Sequence, residues 1–222
     1  MKICIIGYGK MGKMVEKIAK SKGHSISQLI DSPDKEVEGG SDIAIIFSTP
    51  GSAYSNIIKC FEKKIPVVCG TTGWLDDIDK IKKYCKLNKS TFLFSPNFSL
   101  GVNLFFKINN SISKIMKHHD EFNLKINEIH HTSKIDSPSG TAIKIKEDID
   151  AILKKDTPIK SKRIGSNKGT HEIIYESMSD TIRLSHTAKN RDSFAKGSIL
   201  CAEWLISKNG YFEMDDFLND FS

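Results

Sequence analysis

Residues 2–94 alternate between short apolar runs and amphipathic stretches, and this alternation limits the possible folds more than any other feature of the chain. Lys2–Ile6, Ser25–Asp31, Asp42–Phe47, Val67–Cys69 and Thr91–Phe94 read as strands. Between them lie Lys10–Lys22, with Met14, Val15, Ile18 and Ala19 at helical spacing, then Ser52–Lys63 and Asp76–Cys85. A series of this kind packs as a parallel sheet with helices on both faces, an α/β, Rossmann-like arrangement. After Gly101 the pattern changes. Val102–His118 is a long helix candidate, and Glu121–Ile129 alternates apolar and polar residues. Thr141–Leu153 is helical, and His171–Met178 and Thr181–Thr187 read as strands joined at Ser179-Asp180. That mixture predicts an α+β open-sheet domain. Phe194–Ile206 returns to helix, and Phe212–Phe221 reads as a short acidic tail. The expected division is one domain from 1–101 with 192–222 and another from 102–191, hinged near Gly101 and Arg191.

Composition removes several function classes. With 39% hydrophobic and 27% charged residues among 222, the chain can bury a core. Its apolar runs, such as Ile43–Phe47, are far too short to span a bilayer, and the N-terminal one is too short for a secretory signal. A soluble, cytoplasmic protein with no membrane partner is expected. The net charge is +6, but only Arg163, Arg183 and Arg191 among the 33 basic residues are arginine. Nucleic-acid readers favour Arg for bidentate contacts, so no nucleic-acid partner is expected. Five scattered cysteines without a CxxC pair argue for reduced, buried thiols rather than a zinc site.

Gly7-Tyr8-Gly9-Lys10-Met11-Gly12 fits GxGxxG and lies between a strand and a helix, the context that gives the pattern meaning. The glycines allow a tight turn and close approach to a pyrophosphate, and the helix start offers free N–H groups. Asp31, nineteen residues beyond Gly12, can accept hydrogen bonds from a ribose 2′-hydroxyl and repels a 2′-phosphate. NADH is therefore the expected cofactor in preference to NADPH, with Lys35 the one nearby group that softens the choice. Phe47-Ser48-Thr49-Pro50, Gly70-Thr71-Thr72-Gly73 and Ser95-Pro96-Asn97-Phe98 follow three later strands. Open α/β sheets bind ligands at these strand ends, so Phe47, Ser48, Gly70, Thr71, Thr72, Ser95, Pro96, Asn97 and Phe98 join the cofactor candidates.

A second constellation lies in the other half. His130-His131 ends a strand, and Lys134 follows on a loop. Pro138 precedes a helix for which Ser139 is a good N-cap. The first N–H groups near Gly140 and Thr141 are then free for a carboxylate, with the Thr141 hydroxyl beside them. Imidazole and ammonium groups near a bound anion can move protons near neutral pH. Adjacent histidines can also begin a metal site, but no third ligand is near in sequence and no metal is expected.

Glu128-Ile129-His130-His131-Thr132-Ser133-Lys134-Ile135-Asp136-Ser137-Pro138-Ser139-Gly140-Thr141-Ala142 resembles the E-x-H-H-x-x-K-x-D-x-P-S-G-T-A signature of the dihydrodipicolinate reductase family. Gly70–Gly73, Asn97–Asn103, the Arg163/Gly165/Gly169/His171 spacing and Leu184–Gly197 fit as well, so the resemblance covers nearly the whole chain. It implies a dinucleotide-binding domain, a sheet domain that binds substrate and builds a homotetramer, and hydride transfer from NAD(P)H to a cyclic dicarboxylate. It also implies His130 as acid/base residue, Lys134 as proton donor, and His131, Ser139, Gly140 and Thr141 as substrate contacts. The glycine turn is one residue shorter than in many members, and Lys10 stands where they carry Arg. Two rivals remain: another amino-acid dehydrogenase of similar architecture, and a redox-sensing dinucleotide-binding regulator, which would need a DNA-binding element that the sequence does not display.

Overall fold

The computed structural model of the protein describes residues 1–32, 35–190 and 192–221. Its elements begin with β1 (Lys2–Ile6), α1 (Lys10–Ser21), β2 (Ser25–Ile30), β3 (Ile43–Ile46), α2 (Pro50–Glu62) and β4 (Val67–Cys69). A 3₁₀ turn (Leu75–Asp77), α3 (Ile78–Asn88) and β5 (Thr91–Phe94) follow. Then come α4 (Leu100–Met116), β6 (Asn123–His130), α5 (Gly140–Leu153), β7 (Ile159–Arg163), β8 (Thr170–Glu176) and β9 (Thr181–Thr187). The chain ends with α6 (Asp192–Leu205), β10 (Gly210–Glu213) and α7 (Met214–Asn219). Two compact units result: Met1–Ser99 with Asp192–Ser222, and Leu100–Arg191.

The first unit is a six-stranded sheet in the order β10-β5-β4-β3-β1-β2, with every pair parallel. Parallel strands are covered on both faces, which is why β1, β3 and β5 are apolar runs rather than alternating ones. One face packs Cys4, Ile6, Ala44, Ile46 and Phe92 against Ile57, Phe61 and Ile81 of α2 and α3. All five cysteines are free and buried. The expected acidic tail is ordered instead. Gly210–Glu213 pairs with β5 as the sixth strand. Glu213 and Asp216 form a reciprocal capping box at the start of α7. Asp220 accepts from Trp204 Nε1 at 2.8 Å and from Lys208 Nζ at 2.5 Å. Acidic residues here cap a helix and tie its end down, so their charge signalled structure rather than a solvated tail.

The second unit is a mixed sheet in the order β7-β6-β8-β9. β6 runs parallel to β7 and antiparallel to β8, and β8 pairs antiparallel with β9. Phe105, Met116, Ile126, Ile145, Ile149, Ile173 and Tyr175 form its core, which draws on α4, α5 and the sheet. β7 escapes the sequence reading because Ile159-Lys160-Ser161-Lys162-Arg163 is mostly polar. It is an edge strand, where outward lysines discourage pairing with another chain. The register places Ser161, Glu128, His171 and His186 directly opposite one another, a single cross-strand row over all four strands. No helix among the described residues is long and apolar enough to cross a membrane.

Candidate functional site

In the first unit the strand order reverses direction between β1 and β3, the switch point at which doubly wound sheets bind ligands. The glycine turn sits there. Gly7 has φ +90°, and a Cβ on it would lie 2.1 Å from the Phe47 carbonyl oxygen. A Cβ on Gly12 would lie 2.1 Å from the Gly7 oxygen, so this glycine lets α1 press against the turn. Gly9 differs: a Cβ there would meet nothing within 4 Å. The helix start at Gly9 has no side-chain cap and no acidic residue in its first turn, so its N–H groups are available to an anion. Two glycines therefore build the turn and the third leaves open space, which fits a pyrophosphate at the helix start. Tyr8 folds back along α1, its hydroxyl donating to Glu16 and its ring beneath Lys13.

The remaining candidates of this unit lie at the same carboxyl edge of the sheet. Ser48 N donates to the buried Thr71 Oγ1 at 2.9 Å, which joins the loops after β3 and β4. The Phe47 ring leaves no room for a Cβ on Gly70 and meets the Phe98 ring edge-on at 6.1 Å. Ser95 Oγ donates to the Asn97 carbonyl at 2.8 Å and braces the Ser95–Phe98 turn. Pro96 and Thr72 are exposed. Asp31 follows β2 beside a cleft of about 310 Å³ lined by Gln28, Ile30 and Lys35. Lys35 Nζ lies 2.7 Å from Asp31 Oδ1, and this partner holds the carboxyl below its ordinary range.

In the second unit the chemistry gathers at the end of β6. Glu128 is wholly buried, and its Oε1 accepts from Ser139 N and from Arg163 Nη2, each at 3.1 Å. Burial alone would push its carboxyl up, but the donors on Ser139 and Arg163 outweigh it and the group stays ionised. His130 Nδ1 comes within 3.0 Å of Glu128 Oε2 without the alignment of a hydrogen bond, so the attraction is coulombic. Burial holds His130 below the ordinary histidine range, opposed by Glu128 and reinforced by Lys134 and Arg163. His171, opposite Glu128, has its Nε2 3.2 Å from Ser139 Oγ and 4.0 Å from Glu128 Oε2. Burial brings it down to about 4, with further depression from His130, so it is neutral at pH 7. Glu128, His130 and His171 offer three ligand atoms within 4.8 Å of one another. This cluster joins His130 to Glu128 and His171 rather than to His131, and the Arg163 guanidinium on Glu128 already balances its charge.

The loop beyond β6 is tied to this centre. Arg163 Nη2 also donates to the Asp136 carbonyl at 2.5 Å. Lys134 Nζ reaches both oxygens of Asp136, at 2.7 and 2.8 Å, and lowers that carboxyl. His131 Nδ1 lies 2.8 Å from Ser133 Oγ. Ser139 caps α5: its Oγ accepts from Ala142 N at 3.2 Å and its carbonyl from Ile143 N at 2.9 Å. Gly140 N and Thr141 N, the next two amides, have no acceptor within the helix. An anion-sized position with two free amides therefore begins one residue from the cap, on the segment that carries Lys134. Sequence reasoning around the histidine pair gave no role to Glu128, Arg163, Asp136, His171 or His186. The signature segment and the Arg163–His171 spacing contain most of them, but strand register and side-chain geometry were needed to bring them together.

Two family descriptions match this chain: "Dihydrodipicolinate reductase, N-terminus" over residues 1–98 and "Dihydrodipicolinate reductase, C-terminus" over residues 101–218. The 4-hydroxy-tetrahydrodipicolinate reductase of Christiangramia forsetii is 42% identical over 239 aligned residues, covering 99% of this chain and 98% of the relative. The enzyme of the same name from Staphylococcus aureus strain Newman is 32% identical, covering 97% and 100%. A dipicolinate-bound dihydrodipicolinate reductase from Paenisporosarcina sp. TG-14 superposes with a TM-score of 0.83 at 20% identity, over 97% of this chain and 99% of that one.

Proposed function

The chain belongs to the dihydrodipicolinate reductase family, and on that premise we propose that it reduces 4-hydroxy-tetrahydrodipicolinate to tetrahydrodipicolinate with NAD(P)H, the 4-hydroxyl group leaving as water, in lysine and diaminopimelate biosynthesis. The observation that carries the reading is the start of α5, where two free amides follow a cap residue whose own amide donates to Glu128, on the segment that carries Lys134. A cyclic dicarboxylate suits such a place, because helix-start amides and a lysine both favour a carboxylate.

The glycine turn fits a dinucleotide, and a reduced nicotinamide supplies the hydride when bound. This chain's residues do the rest. Gly140 N and Thr141 N hold one carboxylate, with the Thr141 and Ser139 hydroxyls and His131 around it. Lys134 exchanges Asp136 for the substrate and delivers the proton that the ring needs after hydride arrives. His130, kept in its neutral form by burial, acts as the acid/base partner, oriented by the charge on Glu128. Arg163 holds Glu128 ionised and fixes the loop through the Asp136 carbonyl.

On the cofactor side, Gly7–Gly12, Asp31 and the loops at Phe47-Ser48, Gly70–Thr72 and Ser95–Phe98 form the binding edge. Asp31 favours NADH, and Lys35 leaves NADPH usable by partly neutralising that carboxylate. A homotetramer in the cytoplasm completes the proposal. The test is loss of NADH absorbance when the purified protein receives the product of dihydrodipicolinate synthase. No loss above background ends the assignment, and light scattering that reports a monomer ends the tetramer.

A further inference from the structure

We infer that His171 is a positioning residue: its imidazole donates from Nε2 to Ser139 Oγ, which turns the Ser139 hydroxyl hydrogen toward the carboxylate bound at the start of α5. The inference rests on the substrate assignment above and adds a residue from another strand to it.

Ser139 Oγ is buried and already accepts from Ala142 N at 3.2 Å as the cap of α5. Its second contact is His171 Nε2, also at 3.2 Å. That contact has two possible polarities. If Ser139 donated to an unprotonated Nε2, the hydrogen of His171 would sit on Nδ1. His171 Nδ1 is buried and has no hydrogen-bond partner. An orphaned N–H costs more than an orphaned lone pair, so that arrangement is the poorer one. The Glu128 carboxylate points the same way. Its Oε2 is buried, makes no hydrogen bond and lies 4.0 Å from His171 Nε2. A hydrogen on Nε2 faces that negative charge, whereas a lone pair would oppose it. His171 is neutral at pH 7, so it carries one hydrogen, and both arguments place it on Nε2.

With Nε2–H donating, Ser139 Oγ receives two hydrogen bonds and spends its own hydrogen on neither. That hydrogen is directed to the remaining tetrahedral position, available to an anion alongside Gly140 N and Thr141 N. The cross-strand register makes the arrangement rigid, because His171 sits opposite Glu128 on one side and His186 on the other. Its ring also meets the His130 ring edge-on at 5.1 Å.

The experiment has a tautomer arm and a binding arm. Nitrogen-15 NMR of the wild-type protein reports the tautomer, and the inference expects the hydrogen of His171 on Nε2. Finding it on Nδ1 overturns the inference without any variant. Calorimetry with pyridine-2,6-dicarboxylate as probe, in the presence of NADH, reports the consequence. His171→Gln keeps an amide nitrogen at the length of Nε2, and His171→Asn is too short to reach Ser139. His171→Asn should weaken the probe by about tenfold or more, as for a hydrogen bond to a charged group. His171→Gln should stay within about twofold, and His171→Asn should add nothing in a Ser139→Ala background. Equal affinity of His171→Asn and wild type, or additive losses in the double variant, overturns the inference. If the wild type itself fails to bind the probe, the substrate assignment falls and takes this inference with it.

Discussion

His171→Gln removes one titration from the core while keeping a donor of the same reach, so it isolates how pH acts on stability. Burial holds His171 at about 4 in the folded protein, against 6.5 for an ordinary histidine. Between those two values the unfolded chain binds a proton that the folded chain refuses, so stability falls as pH decreases through that window. Each pH unit is worth about 1.4 kcal/mol, and the two units from 6.5 to 4.5 amount to about 2–3 kcal/mol. The groups that face His171 are Glu128 and His130 on β6, His186 on β9 and Lys134 on the loop. All remain in the variant, so the comparison removes their own titrations apart from their coupling to His171. Urea unfolding at pH 7.5 and at pH 4.5 gives the four free energies needed. The wild type should lose about 2–3 kcal/mol more than His171→Gln on acidification. Losses that agree within about 0.5 kcal/mol would refute the claim that this imidazole is buried and neutral.

Other outcomes are equally specific. Lys134→Ala should lower kcat at least about a hundredfold in steady-state kinetics, because general acids contribute on the order of 10²–10⁴; wild-type turnover would remove Lys134 from its role. Gly9→Ala should unfold like the wild type, since a Cβ there meets nothing within 4 Å, yet bind NADH more weakly by fluorescence titration. Gly7→Ala should instead lose about 1–3 kcal/mol in denaturant, through its positive φ and the Phe47 oxygen 2.1 Å from the added carbon. Lys35→Ala should raise the preference for NADH over NADPH by about two- to fivefold, the scale of one exposed ion pair, and the change should shrink in salt. An unchanged ratio would show that Lys35 does not moderate Asp31.

The sequence displays the parallel sheet clearly because strands buried on both faces must be apolar throughout. Ile43–Ile46 and Thr91–Phe94 can hardly be anything else once helices alternate with them. β7 and β10 were not legible, since an edge strand such as Ile159–Arg163 is defined by its partner and can be largely polar. The glycine turn and the His130–Thr141 segment are contiguous, so their chemistry could be read along the chain. The cross-strand row Ser161–Glu128–His171–His186 could not, because it exists only in the pairing of four strands. Lys134 shows the same limit from another side: its bond to Asp136 two residues away is local, yet side-chain geometry was needed to reveal it.

The central claim is that a dicarboxylate is held at the start of α5 beside the Glu128 centre. A crystal structure with NADH and pyridine-2,6-dicarboxylate measures this directly. Carboxylate oxygens should lie within hydrogen-bond distance of Gly140 N and Thr141 N, with Lys134 Nζ moved from Asp136 toward the ligand. A dicarboxylate bound elsewhere, with those amides facing only water and the Lys134–Asp136 pair intact, would contradict the account.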